Sequence, residues 1–129
     1  MLYQYWLVRY VPDVARIDSA SAGVITVGRD RGDAAFRFVE SSLQLPAIGH
    51  SRTDFMRIAR LFEQNLRFFI ENQGFSLGNS RDLRSFIERE RRQNHGIFQI
   101  DSPGQIASIN AAEAAEALFD RLVFRQESA

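Results

Sequence analysis

Apolar and polar positions change rhythm several times along the chain, and each rhythm names an element. From Tyr3 to Val11, apolar side chains fall at both parities, Tyr3, Tyr5 and Leu7 against Trp6, Val8 and Tyr10. A strand apolar on both faces belongs inside a sheet that is covered on both sides. Pro12 ends it, because proline has no N–H for the ladder. Gly23 to Gly28 (GVITVG) reads as a second strand and Ala34 to Glu40 (AAFRFVE) as a third. The polar loop RDRGD joins them, with Gly32 free to take a positive φ. The three predict an antiparallel meander.

Helical spacing takes over from Asp54 to Asn72. Phe55, Ile58, Ala59, Phe62, Leu66, Phe69 and Ile70 form one stripe, with arginines and glutamates opposite. Thr53 or Ser51 is the expected N-cap. GFSLGN interrupts the pattern, and Ser80 is positioned to cap a second helix running to Gln93. Its apolar face is narrow, only Leu83, Phe86 and Ile87, which leaves it able to project or to dock on a partner. Near 97–109, two short β-prone runs flank Pro103-Gly104, a type II turn signal, so the segment reads as a short strand with a hooked end or a hairpin. Asn110, three residues before Glu113, opens a last helix with a capping-box-like start. Its stripe is Ala115, Leu118, Phe119, Leu122 and Val123. The order β-β-β-α-α-β(β)-α defines an α+β fold: a three-stranded meander plus a short strand or hairpin, packed by three helices. Residues 1–125 are expected to form a single domain and 126–129 a frayed tail.

Composition narrows the chemistry. The chain has 129 residues, 45% of them hydrophobic, with eleven phenylalanines, enough for a real core. Sixteen basic residues balance sixteen acids, so no net field draws the protein to nucleic acid or to an anionic membrane. All the basic residues are arginine; without lysine there is no Schiff base and no lysine general base. That usage also fits a GC-rich coding sequence, as in an actinobacterium or one of its phages. There is no cysteine, hence no disulfide, thiolate nucleophile or cysteine zinc site. MLYQYWLVRY lacks the features of a secretory signal, and no run approaches the ~20 apolar residues of a membrane span. A soluble, cytoplasmic protein is expected.

Individual motifs carry little chemistry on their own. GFSLG at 74–78 matches the nucleophile-elbow pattern, but that elbow needs a strand before it and a helix after it within a large parallel sheet. A helix-terminating glycine explains Gly74 more simply. Pro12-Asp13 suggests a metal-dependent nuclease, but the accompanying acid–lysine pair is missing, and turn chemistry accounts for Asp13. His50 and His95 have no helical partner or nearby acid cluster, so neither metal nor cofactor is expected. On the second helix, Arg84, Arg89, Arg91 and Arg92 alternate with acids, as on a solvated, internally paired surface, and form at most a partner-docking face. Arg9 differs. Alternation places it beside Leu7 on a partly covered face, and a buried guanidinium needs a partner. Asp13, Asp18 and Glu40 are the candidate acids.

The stretch Tyr5-x-x-Val8-Arg9-Tyr10-x-Pro12-Asp13, then Arg16-x-Asp18, then Gly23-Val24, resembles the start of the bacterial and phage domain-of-unknown-function family 3037. Phe98-Gln99-Ile100 and the run Leu118 to Val123 resemble its later parts. Carried over by position, the family's glutamate falls on Asp18, its asparagine on Ser21 and one of its glycines on Gly23; Ile17 replaces another glycine. Both polar side chains are shorter here, so a site built on them is altered or only its scaffold is kept. The resemblance implies no established activity. It implies instead a protein partner, because members are often encoded beside a kinase-like protein resembling the HipA toxin.

Two functions follow as expectations. The first is a non-catalytic protein-interaction module, either the partner of a HipA-like kinase or a phage protein acting on a host protein, with a homodimer as a further candidate. The second is a small-anion-binding or hydrolytic enzyme using Arg9, Asp13, Arg16, Asp18 and Ser21 around the first strand-turn. Nucleic-acid binding by the second helix ranks below both, because no net basic face with interleaved aromatics is present.

Overall fold

The computed structural model describes residues 2–11, 20–28, 33–40, 51–73, 77–93 and 97–124. In chain order these form β1 (Leu2–Tyr10), β2 (Ala20–Gly28), β3 (Ala34–Phe38), α1 (Ser51–Gln73), α2 (Leu77–Gln93), β4 (Phe98–Ile100), β5 (Gly104–Ala107) and α3 (Ala111–Phe119). A π-helical turn over Asp120–Phe124 continues α3. The fold is α+β, and β1, β2 and β3 make the expected antiparallel meander. Across the sheet the order is β3-β2-β1-β4, with β5 also on β1.

β4 and β5 do not form a hairpin. Both pair antiparallel with β1, β4 along Val8–Tyr10 and β5 along Leu2–Tyr5. They are two halves of one edge strand. Between the pairs Val8–Ile100 and Tyr5–Gly104, β1 advances three residues and the edge strand four, so the break absorbs one extra residue. Pro103 sits in that break, where its missing N–H costs no ladder bond. Pro103-Gly104 therefore interrupts an edge rather than reversing the chain. Gly104 is needed there for another reason: a Cβ would lie 2.6 Å from the Tyr5 ring opposite it.

β1 is the central strand that its two-sided apolar pattern requires. Trp6, Val8 and Tyr10 face one way and are fully buried. Here α1 and α2 supply a layer of rings. Phe55 meets Tyr10 at 5.1 Å and Phe98 at 5.7 Å; Phe62 meets Phe98 at 5.1 Å and Phe86 at 5.6 Å; Phe69 meets Phe86 at 4.7 Å. Phe38 joins from β3, its ring filling the space above Gly23, where a Cβ would lie 2.3 Å away. Tilted contacts at these distances suit the ring quadrupole. α2 does not project: Leu83, Phe86 and Ile87 are all buried in this layer.

The other face of β1 carries Tyr3, Tyr5 and Leu7, and α3 covers it, packing on β2 and β3. The expected stripe holds, with Ala115, Leu118, Phe119 and Val123 buried, and Ala111 and Ala114 join it. Alanines let the helix lie close. Thr26, paired with Tyr5, donates its hydroxyl to the Ala111 carbonyl at 2.8 Å. Asn110 caps α3 as expected, accepting from the Glu113 amide at 2.8 Å. Asp33 adds a second lock: one carboxylate oxygen accepts from the Ala111 amide at 3.0 Å and from the Tyr3 hydroxyl at 3.1 Å. An anion at this terminus also meets the favourable end of the helix dipole.

Both long helices start earlier than their patterns suggested. α1 already runs from Ser51, so Thr53 lies inside its first turn rather than capping it, and the Ser51 side chain is outside the described residues. α2 begins at Leu77, so Ser80 lies within the helix and does not cap it. Gly32, Gly74, Ser76 and the tail 126–129 also lie outside the described residues.

Candidate functional site

Three surfaces hold the residues that the sequence singles out, or should have. The first is the end of β1. Arg9 pairs across the strands with Ser21 on β2 and Gln99 on β4, forming a polar row next to a bulge in β2. Arg9 is partly buried, as alternation required, and its Nε donates to Asp101 Oδ2 at 2.6 Å. Of the expected acids, Glu40 accepts from Arg37, at 3.1 Å, and Asp13 and Asp18 lie outside the described residues, as does Arg16. Both side chains of the Arg9–Asp101 pair keep about a third of their surface exposed, 33% and 36%. A half-solvated pair like this is worth at most about 1 kcal/mol. Ser21 is only 4% exposed. The row thus joins Arg9 to Ser21 as the anion-site reading asks, but with an acid already on the guanidinium.

The second surface is the arginine set of α2. Arg84 turns inward, donating from Nη2 to the Gly28 carbonyl at 2.7 Å, and so ties α2 to β2. Arg91 pairs with Glu88 at 3.2 Å, and Glu88 in turn accepts from the Trp6 indole at 3.2 Å. Arg89 and Arg92 are exposed. Of the four candidates, Arg84 therefore fastens the helix to its own domain, and Arg91 holds the carboxylate that does so through Trp6. Beside Arg84, a shallow recess of about 200 Å³ is lined by Leu2, Tyr3, Gln4 and Gln105. That is below the ~300 Å³ at which ordinary ligand pockets begin.

The third surface is the outward side of α1. Phe55, Ala59, Phe62 and Leu66 of the expected stripe are buried, and Phe69 and Ile70 are partly buried. Ile58 is not in the core: it is 37% exposed, because it sits at the stripe's margin, beyond the reach of the sheet. Leu61 and Phe68, which lay outside the expected stripe, are 57% and 59% exposed. Together with Asn65, Ile58, Leu61 and Phe68 follow a 3-4-3 spacing, the seam along which helices pack against each other. The sequence carried this signal as a second apolar periodicity; the stronger inward one masked it.

On the inner margin of the same helix, Arg60 donates to Glu63 and to the Val39 and Glu40 carbonyls, holding the chain that leaves β3. Burial pushes the Glu63 carboxyl above its ordinary value, more than Arg60 and Arg67 pull it down. Among the described residues no three His, Cys, Asp or Glu side chains are grouped so as to hold a metal ion. His50 and His95 are outside those residues. None of the described helices is long and apolar enough to cross a membrane. No family model matches the chain, and no curated protein or solved structure matches it either.

Proposed function

We propose that the protein is a non-catalytic protein-interaction module of the cytoplasm that docks through the outward seam of α1. One observation carries this reading: Ile58, Leu61 and Phe68 stand on a single line of an otherwise polar helix face, largely open to solvent. Large apolar side chains gathered in a line mark an interaction surface, whereas scattered ones need no explanation. The resemblance to family 3037 supports a protein partner, a HipA-like kinase or, for a phage-encoded chain, a host protein. Capture from the native host with wild type and Leu61→Asp as baits tests the reading. The expected result is a partner retained by wild type and lost by the variant, both folded by circular dichroism. Identical recoveries refute the seam as the docking surface.

A second reading, a small-anion-binding or hydrolytic enzyme, draws on the row Ser21, Arg9 and Gln99 at the end of β1. The segment from β1 to β2 also contains Asp13, Arg16 and Asp18. Asp101 weighs against it, since it already compensates the Arg9 charge. Titration with inorganic phosphate separates the two readings: saturable binding lost in Arg9→Gln favours the site, and no binding favours the module.

A further inference from the structure

The outward seam of α1 has a charge pattern that selects its occupant. Arg57 and Glu71 flank the line Ile58, Leu61, Asn65 and Phe68 on the same side, each seven residues from Gln64. Seven residues is one heptad, so the three fall in register beside the seam. Arg57 and Glu71 are both exposed. Arg57 has one contact along its own helix, a 3.5 Å pair with the exposed Asp54.

We infer that a second copy of this chain covers the seam, the two α1 helices crossing antiparallel about a two-fold axis at the level of Glu63 and Gln64. This rests on reading the seam as a docking surface, and it names the occupant. A two-fold interface sets each patch against its own inverse. Inverting this seam brings Ile58 of one copy to Phe68 of the other and Leu61 to Asn65. It also brings Arg57 to Glu71 twice and sets Gln64 beside its own copy. A parallel two-fold pairing carries the partner's copies of Arg57 and Glu71 to the opposite side of the seam, so neither charge meets an opposite one. The zero formal net charge of the chain removes any general repulsion between copies. The inward stripe cannot take part, because the sheet and α2 already cover it.

Sedimentation velocity over a concentration series tests the inference. The expected result is a reversible dimer, lost in Leu61→Asp and in Phe68→Asp. Arg57→Glu turns two attractive pairs repulsive and weakens association about tenfold. Arg57→Glu combined with Glu71→Arg restores self-complementarity and recovers the wild-type constant. These positions are exposed, so all four variants keep the wild-type circular dichroism. A dimer indifferent to Leu61→Asp, or a double charge variant no tighter than Arg57→Glu, overturns the arrangement. A monomer at every concentration overturns it too. If that monomer still captures another protein through Leu61, the docking surface stands with a different occupant; if it captures none, both readings fall.

Discussion

The two faces of the sheet are closed by different means. Under α1 and α2, the face is filled by rings: Tyr10, Phe38, Phe55, Phe62, Phe86 and Phe98 touch in a continuous layer. Under α3, the first turns of the helix pack through Ala111, Ala114 and Ala115 and are fixed by named hydrogen bonds, Thr26 to Ala111 and Asp33 to Ala111 and Tyr3, with Leu118 and Phe119 buried beyond them. Ring packing depends on area and tolerates shifts of a few tenths of an ångström. A close alanine helix tolerates almost none, because there is no volume to repack. The first layer sets how stable the fold is; the second sets where its last helix lies.

Substitutions in each layer should separate these roles. Phe62 touches rings from β3, β4 and α2, so Phe62→Ala should cost the most, about 3–5 kcal/mol in urea unfolding. A loss below about 1 kcal/mol would mean that the layer repacks freely. On the other face, the informative change adds volume. Ala114 is fully buried against Tyr3 and Ala111, and Ala114→Leu should cost about 1–3 kcal/mol by forcing α3 off the sheet. Near-UV circular dichroism should report it as a changed tyrosine environment. An unchanged tyrosine signal would show that α3 is not tightly seated.

The same contrast explains what the sequence disclosed. The ring layer was legible because it is built from strong periodicities: both parities of β1 and one stripe each of α1 and α2. Asn110 and the α3 stripe were legible because caps and helix spacing are local. The locks on α3 were not, since Asp33 reaches Tyr3 and Ala111 from 30 and 78 residues away, and no local pattern encodes that. The pairing of Arg9 with Asp101 was not legible for the same reason, Asp101 lying 92 residues on. The edge strand was left open between a hairpin and one hooked strand because Pro103-Gly104 has turn chemistry; pairing with β1 on both sides of the break rules out the hairpin. Ile58 went to the wrong stripe because the width of the sheet, not helix spacing, decides where a buried face ends.

Smaller effects sharpen the contrast. Thr26→Val keeps the shape at the α3 interface and removes one donor, the hydroxyl given to the Ala111 carbonyl. The expected loss is about 1 kcal/mol, the net worth of one hydrogen bond. No change would mean that packing alone seats the helix.

The smallest expected effect concerns a charge at the border of the ring layer. Glu63 has a carboxyl raised above its ordinary 4.5, burial outweighing the pull of Arg60 and Arg67. The folded protein therefore holds this proton more tightly than the unfolded chain. Below the ordinary value both states are protonated, and the group makes no difference. As pH rises from there through the raised value, the unfolded chain ionises first and the folded protein loses stability relative to it. Glu63→Gln removes that dependence. The stability of the variant relative to wild type should therefore climb across the carboxylate range and level off above the raised value. Urea unfolding at several pH values between about 4 and 8 measures the difference. A difference that falls with pH would mean that the pull of Arg60, which donates to this carboxylate, exceeds the cost of burial. The border of the ring layer would then be held by its charges rather than strained by them.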